Sequence, residues 1–347
     1  MKYWGFLVLF SVFLAVQAFA QSDLQPAAIV NLTRSEPITV KQFRTEVERM
    51  ERSARRTLND SERREVLDAM INERLAIQAA EKDKITVAES EVNRQIDQLR
   101  AQMVQAIGRQ PTEAEFATAI RNETGLDMAA FREQTRKQLI TQKYLMSKKQ
   151  STIESLRIPT DAEIVSTYNL TKAQFVRPDT VRFSMIQIDY GPDAAAKTKA
   201  KELADRLFRE IGSNPSKFDE VVLRGQSPNS GYQAGDGGYL PRNMEAAQIV
   251  GQEFINTAFS LKQGEVSKLM EGARGYQIVK ITEMYAQRNL ELDDIYQLGT
   301  RMTVRDYIAN AMLQERQMEV LSRATQELVA ELRAGKTFQV FDKNLVW

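Results

Sequence analysis

The sequence contains no cysteine and no histidine among its 347 residues. It therefore has no disulfide, no thiolate nucleophile, no imidazole base and no soft metal site, which excludes zinc enzymes, Ser-His-Asp hydrolases and cysteine proteases. An excess of charge is also lacking, because 47 lysine and arginine residues balance 46 acidic residues. A chain without a net field does not attract nucleic acid, so we expect no nucleic-acid partner.

What remains is an ordinary globular composition, with 43% hydrophobic and 27% charged residues. The length is enough for two domains, each with its own core. Thirteen methionines are present, and their flexible thioethers suit either an adaptable binding surface or an irregular core.

The first twenty residues have the pattern of a secretory signal peptide. One lysine precedes an apolar run over residues 4–16, and Ala18 and Ala20 are small residues where a signal peptidase reads the chain. We predict cleavage after Ala20 and a mature protein that functions outside the cytoplasm. The alternative, an uncleaved membrane anchor, needs a run of about 20 apolar residues, and this run is shorter.

The following region predicts a hairpin and then a set of helices. Two short apolar segments, 27–31 and 36–40, flank a polar turn. Apolar residues then recur at helical spacing, with Phe43, Val47 and Met50 on one face of the first helix. Three later helices are predicted to begin with a capping box, a threonine followed three residues later by glutamate. These pairs are Thr86 with Glu89, Thr112 with Glu115, and Thr160 with Glu163.

Residues 181–282 predict a second, compact domain. An alternating strand is followed by a helix, a second helix that Asn214 and Pro215 begin, a glycine-rich strand, another helix and a closing strand. This order resembles the parvulin-type peptidyl-prolyl isomerases, which have a small antiparallel sheet surrounded by helices. The helical sequence on both sides resembles the chaperone body of the SurA family of bacterial periplasmic folding factors.

The parvulin resemblance also assigns the positions of a catalytic site. Active parvulins have one histidine in the first strand and another in the closing strand, and the matching positions here are Met185 and Gln277. A third polar position falls on Ser227 or Pro228. The two imidazoles are therefore missing, and no residue is assigned a catalytic role.

The resemblance further implies an apolar wall that holds a substrate proline. Phe254, Val250 and Met185 match this wall, while Phe259 matches a core aromatic. Phe254 as an ordinary core residue is the alternative. Prolyl isomerisation has a barrier of about 18–20 kcal/mol, which falls when the bound amide is twisted in an apolar pocket. Without the imidazole network we expect weak or absent isomerase activity.

Residues 291–333 are predicted to form one long helix, with Ile295 and Met302 on its buried face and Gly335 as its C-cap. In the SurA family the last helix and strand return to complete the N-terminal body. The same topology would give a discontinuous body, residues 21–177 and 286–347, around a parvulin-like domain at 178–285. Phe338, Val340 and Phe341 should then pair with the strand at 27–30.

The predicted fold class is thus α+β, a mostly helical discontinuous chaperone body plus a parvulin-like domain. The leading hypothesis is a periplasmic chaperone that binds unfolded or nascent outer-membrane or secreted polypeptides, with aromatic-rich segments implied as clients. No cofactor or metal is expected, and the glycine cluster at 235–238 lacks the lysine and spacing of a phosphate loop. Two alternatives are an active peptidyl-prolyl isomerase with a divergent site and a surface-exposed scaffold or adhesin.

Overall fold

The computed structural model of the chain describes residues 23–345, except residues 213 and 228. The predicted signal peptide with its cleavage after Ala20, and the candidate position Pro228, lie outside the described residues. In the part of the chain that is described, no helix is long and apolar enough to cross a membrane.

The described helices and strands follow a single order along the chain. They are β1 (Pro26–Val30), β2 (Glu36–Thr39), α1 (Val40–Ala54), α2 (Asp60–Lys82), α3 (Glu89–Ile107), α4 (Glu113–Thr124), α5 (Met128–Lys148), α6 (Gln150–Glu154), α7 (Asp161–Thr171), β3 (Val176–Arg177), β4 (Thr180–Asp189), α8 (Ala194–Ile211), α9 (Pro215–Gly225), β5 (Gln233–Pro241), α10 (Met244–Val250), α11 (Gln252–Ser260), β6 (Met270–Glu271), β7 (Gly275–Tyr285), β8 (Arg288–Asn289), α12 (Val304–Ala334) and β9 (Phe338–Val340). Helices with small antiparallel sheets confirm the predicted α+β class.

The chain divides into two compact units. The first comprises residues up to Leu156 together with those from Arg316 onward, and the second is Arg157–Glu315. Residues 157–177 and 286–315 thus group with the sheet domain, whereas the limits drawn from the sequence assign them to the body. A buried cluster that includes Ile164, Phe175 and Leu290 holds these flanking residues together.

The sheet of the first unit joins distant parts of the chain. Its strand order is β2-β1-β9, and both pairings are antiparallel. Val30 lies opposite Phe338 and Ala28 opposite Val340, while the Phe341 amide donates to the Ala27 carbonyl at 3.0 Å. The predicted return of the C-terminal strand is therefore confirmed. The sheet packs on α1 and α2 around a core that contains Ile38, Phe43, Leu67, Ile71 and Leu75.

Two of the three predicted capping boxes are present, at Thr112 and Thr160. At the first, the Glu115 amide donates to Thr112 Oγ1 at 3.2 Å, and the Thr112 amide donates back to the Glu115 carboxylate at 2.8 Å. Each box satisfies backbone groups that the first helical turn leaves without partners.

The third box, Thr86 with Glu89, was predicted wrongly. Helix α3 begins at Glu89 with Ala88 at the N-cap, where no side chain accepts a hydrogen bond from the helix. The Ala88 amide donates to the Glu91 carboxylate at 2.9 Å instead. Glu89 pairs with Arg132 and Arg136 of α5. These charged partners lie on another helix, and the threonine–glutamate spacing does not encode them.

The long C-terminal helix is shorter than predicted. Helix α12 begins at Val304, and the preceding segment contains an isolated bridge between Ile295 and Thr303. Gly299 has a φ of 83°, a left-handed conformation that no right-handed helix contains. The Asp306 amide donates to Thr303 Oγ1 at 3.1 Å, which caps the true start. Ile295 and Met302, which lie before Val304, therefore match helical spacing by chance.

The predicted stop of this helix at Gly335 is confirmed, but the left-handed residue lies one position later. Helix α12 ends at Ala334, and the residue in the left-handed conformation is Lys336, with a φ of 48°. Gly335 is therefore not the left-handed residue. The Lys336 amide donates to the Arg333 carbonyl at 3.0 Å, so the turn leads into β9 through the lysine.

The sheet of the second unit carries a core on each face. Its strand order is β5-β4-β7-β6, and all its pairings are antiparallel. Helices α8 and α9 cover one face, over Ile186 and Ile278. Helix α11 covers the other, over Phe183 and Ile281. Because neighbouring residues of β4 point to opposite faces, the strand contributes to both cores.

Candidate functional site

A cleft of about 460 Å³ opens on the sheet face beside α10 and α11. We call it the sheet cleft. Strands β4, β5 and β7 form its floor, α10 and α11 form one wall, and the turn at residues 272–274 forms part of its rim. The side chains that define its chemistry are Phe183, Met185, Gln187, Ile249, Val250, Phe254, Arg274 and Gln277.

Four of the five site residues predicted within the described sequence line this cleft: Met185, Val250, Phe254 and Gln277. Ser227 is not among the described lining residues. It lies in the turn after α9, where its amide donates to the Arg224 carbonyl at 3.2 Å. The structure therefore brings the two positions of the missing histidines and the apolar wall into one cleft, without Ser227.

Sequence reasoning missed several lining residues. Phe183 and Gln187 flank Met185 at two-residue spacing along β4, so strand alternation already places the three side chains on one face. Ile249 and Arg274 lie in α10 and in the turn before β7. No periodic pattern marks these two positions.

The apolar wall is anchored in the core. Phe254 is 5% exposed, and its ring meets that of Phe183 edge to face, with 5.4 Å between the centroids. This geometry is favourable for aromatic pairs. Phe254 therefore lines the cleft and also packs in the core.

Gly237 of the glycine cluster allows the Phe183 ring to pack closely against β5. The pairing of β4 with β5 shifts register between Phe183 and Ser184, which leaves Gly237 as an extra residue. A Cβ atom built on Gly237 would overlap the Phe183 ring. A side chain at position 237 would therefore displace the Phe183 ring from the apolar wall.

The polar part of the floor is a line of amides that ends on a carboxylate. Gln277 Nε2 donates to Gln187 Oε1 at 2.8 Å, and Gln187 Nε2 donates to Asp189 Oδ1 at 3.1 Å. An ionised carboxylate only accepts, so Asp189 fixes the orientation of the Gln187 amide, which in turn orients Gln277. Neither amide titrates. The floor can therefore donate and accept hydrogen bonds but cannot act as an acid or base near neutral pH.

The only acidic side chain among the described lining residues is Asp236, and it is already paired. Arg182 Nη2 lies 2.6 Å from Asp236 Oδ2, and Nη1 lies 2.9 Å from the Glu283 carboxylate. The Arg182 hydrogen bond and the Gly238 amide lower the pKa of Asp236. The hydrogen bond to Glu283 raises the pKa of the neighbouring Tyr285 hydroxyl to about 12. Asp236 consequently remains ionised and neutralised throughout the physiological range.

A second cavity, of about 580 Å³, lies among α1, α2 and α5 in the first unit. We call it the helical groove. Met50, Val66 and Met70 form its apolar part, and charged residues such as Glu73 and Lys137 line its edges. Met50 was predicted on the buried face with Phe43 and Val47, but it is 41% exposed. It therefore adds accessible apolar surface to the groove.

Comparisons with known families match both parts of the chain. Residues 1–145 match the SurA-like N-terminal domain. Residues 159–297 match the PPIC-type PPIase domain, the parvulin type of peptidyl-prolyl isomerase. The two matches together cover most of the sequence, and the second contains the entire sheet cleft.

Individual relatives have low identity. The Chaperone SurA of Alcanivorax borkumensis is 28% identical over 64% of this chain and 47% of its own length. The Foldase protein PrsA of Clostridium botulinum is 21% identical over 82% of this chain and 75% of its own length. A solved structure of one of two structurally related SurA-like chaperones of Campylobacter jejuni covers 91% of this chain at 14% identity, with a TM-score of 0.37.

The chain spans about half the length of the curated SurA relative. It nevertheless contains both kinds of domain, the SurA-like N-terminal domain and a single match to the isomerase domain. The chain is therefore similar to the SurA-like chaperones in combining a SurA-like N-terminal domain with one parvulin-type domain.

Proposed function

We propose that this protein is an exported, periplasmic chaperone that binds unfolded or nascent outer-membrane or secreted polypeptides. In this proposal the sheet cleft binds proline-containing segments and isomerises them weakly or not at all. The observation that carries it is the pairing of an apolar wall with a floor of neutral amides. Met185 and Gln277 stand where active parvulins have histidines.

The wall suits a proline ring because Met185, Val250 and Phe254 offer apolar surface beside an open cleft. Binding a ground-state peptide needs only this surface and a few hydrogen bonds. Catalysis needs interactions that strengthen as the prolyl amide twists. The bond between Gln277 and Gln187 fixes the orientation of both amides, and neither amide carries a charge that could stabilise the changing charge of a twisted prolyl amide.

A second candidate is an active isomerase with a divergent site. The match of residues 159–297 to the isomerase domain favours it. Isomerisation breaks no covalent bond and requires no proton transfer, so the lack of histidine does not by itself forbid turnover.

Exchange spectroscopy by NMR on proline peptides separates the two candidates, because it reports binding and cis–trans exchange together. We expect the chemical-shift changes of the peptide to saturate as protein is added. We expect the protein to accelerate cis–trans exchange only slightly. With no histidine in the chain, binding should also be unchanged between pH 5 and 8. Rapid exchange at catalytic protein concentrations would favour the enzyme instead.

Helix α10 provides a matched pair of variants for this experiment. Ile249 lines the sheet cleft and is 79% exposed, whereas Met244 is 78% exposed and is not among its described lining residues. Ile249→Ser should weaken peptide binding severalfold without changing stability, and Met244→Ser should leave binding unchanged. Equal effects of the two substitutions would argue against binding in the cleft.

The chaperone activity is tested by light scattering from a chemically denatured outer-membrane protein. We assign client contact to the helical groove, because Met50 is exposed there beside other methionine and alkyl side chains. Met50→Asp should reduce the suppression of aggregation, while Met318→Asp, at an exposed site elsewhere in the first unit, should not. Failure of the unaltered protein to suppress aggregation would refute the chaperone proposal.

A further inference from the structure

The sheet cleft has one charged side chain that its own structure leaves unsatisfied, that of Arg274 at the rim. Its side chain is exposed and forms no ion pair or hydrogen bond with the described residues. The other charged lining residue, Asp236, is neutralised by Arg182. The cleft therefore presents an apolar wall beside one uncompensated positive charge.

The backbone under Arg274 is held firmly. The Tyr190 amide donates to the Arg274 carbonyl at 3.0 Å, and the Gly272 amide donates to the Gly275 carbonyl at 2.8 Å. Tyr190 also donates its hydroxyl hydrogen to the Gly272 carbonyl at 2.7 Å. These three hydrogen bonds hold the backbone of the turn against the end of the sheet. The Arg274 side chain therefore extends from a well-anchored backbone.

The acidic residues near this turn have other partners. Glu271 pairs with Lys197 at 3.1 Å, and Asp189 accepts from Gln187. Neither is among the residues that line the cleft. An exposed guanidinium with five donors and no carboxylate partner among the residues that the structure describes is suited to a carboxylate from a ligand.

We infer that Arg274 makes the sheet cleft select acidic peptides, with an aspartate or glutamate near the proline that occupies the apolar wall. This inference rests on the proposed binding of proline segments and specifies their class. Arg274 is a specificity residue here and takes no part in isomerisation. An extended peptide advances about 3.3–3.6 Å per residue, so the carboxylate belongs within a few residues of the proline.

The test measures binding of fluorescent peptides that share one proline-containing sequence and differ only in glutamate, glutamine or lysine at each of the three residues before proline. The full-length protein is compared with Arg274→Gln and Arg274→Glu. The matched control is Arg209→Gln, an exposed arginine of α8 that is not among the lining residues.

The unaltered protein should bind the best glutamate peptide about threefold to fivefold more tightly than its lysine counterpart at low salt, the size expected for an exposed ion pair. Added salt should reduce this ratio. Arg274→Gln should abolish the preference, Arg274→Glu should reverse it, and Arg209→Gln should retain it.

Equal affinity for all peptides, or a preference that survives in Arg274→Glu, would overturn the inference while leaving proline-peptide binding intact. If no peptide binds even at millimolar concentration, the proposed cleft function fails and the inference fails with it. The glutamine peptide separates these results, because it tests binding without a charge.

Discussion

The two units of this protein close their sheets in different ways. In the first, β1 pairs with β9, a strand more than 300 residues later in the chain. In the second, the four strands of the sheet all come from one continuous segment between Thr180 and Tyr285. Closing a long loop costs more conformational entropy than closing a short one, although the cost grows slowly with length. The comparison indicates that the sheet domain can form from local sequence alone, whereas the body needs both ends of the described chain.

The largest expected effects come from core truncation in each unit. Leu67 and Ile278 are fully buried, one in each core, so either substitution to alanine should cost about 2–5 kcal/mol. Calorimetry should reveal two unfolding transitions. Leu67→Ala should lower the midpoint temperature of one, and Ile278→Ala should lower that of the other. If both variants lower a single shared transition, the units do not unfold separately and the contrast between them disappears.

A smaller effect is expected where the sheet domain depends on a glycine. A Cβ atom on Gly275 would overlap the Ile188 carbonyl oxygen, but one on Gly235 meets nothing within 4 Å. Gly275→Ala should destabilise the second unit by about 1–3 kcal/mol, because backbone atoms cannot move aside as side chains can. Gly235→Ala should change stability by less than about 0.5 kcal/mol. Denaturant titration gives the free energy of unfolding of both variants. Equal losses of this free energy in Gly275→Ala and Gly235→Ala would contradict the prediction.

Helix caps test the first unit at a finer level. Thr112→Ala removes the side-chain cap of α4 and should cost about 1 kcal/mol. Thr118→Ala, the same change inside that helix, should cost nothing. Conversely, Ala88→Ser supplies the cap that α3 lacks and should stabilise the unit by about 0.5–1 kcal/mol. A loss of stability in Ala88→Ser would show that the start of α3 is set by other contacts.

The smallest expected effect is a dependence on pH. Arg109, together with the Thr112 amide, lowers the pKa of Glu115 to about 2 from an ordinary 4.5. A lowered folded-state pKa contributes stability above the unfolded value, which is lost as the pH falls towards the folded value. Glu115→Gln should therefore be less stable than the unaltered protein at pH 7 and equal to it near pH 2. A difference that persists unchanged in acid would rule out this cause.

The sequence predicted features that local chemistry determines. The caps at Thr112 and Thr160 and the proline that begins α9 follow from a few adjacent residues. The pairing of Val340 with Ala28 was predicted through family resemblance, since spacing alone carries no information on such distant partners.

Predictions failed where distant contacts decide the outcome. Helix α3 begins at Glu89 and not directly after Thr86, and Glu89 has arginine partners on α5 that local spacing does not reveal. The apolar residues before Val304 imitate a helix that Gly299 interrupts. In the cleft, resemblance identified Met185 and Gln277, but it could not reveal the bond between Gln187 and Gln277, because that bond depends on the register of two strands.

The pairing of β1 with β9 has a consequence for biogenesis. Ribosomes add about 5–20 residues per second, and more than 300 residues separate the two strands. The hairpin of β1 and β2 must therefore wait roughly 15–60 s before its third strand has even been translated. During that interval the β1 edge is an unpaired strand of a nascent polypeptide, and its free backbone groups are open to pairing with other chains.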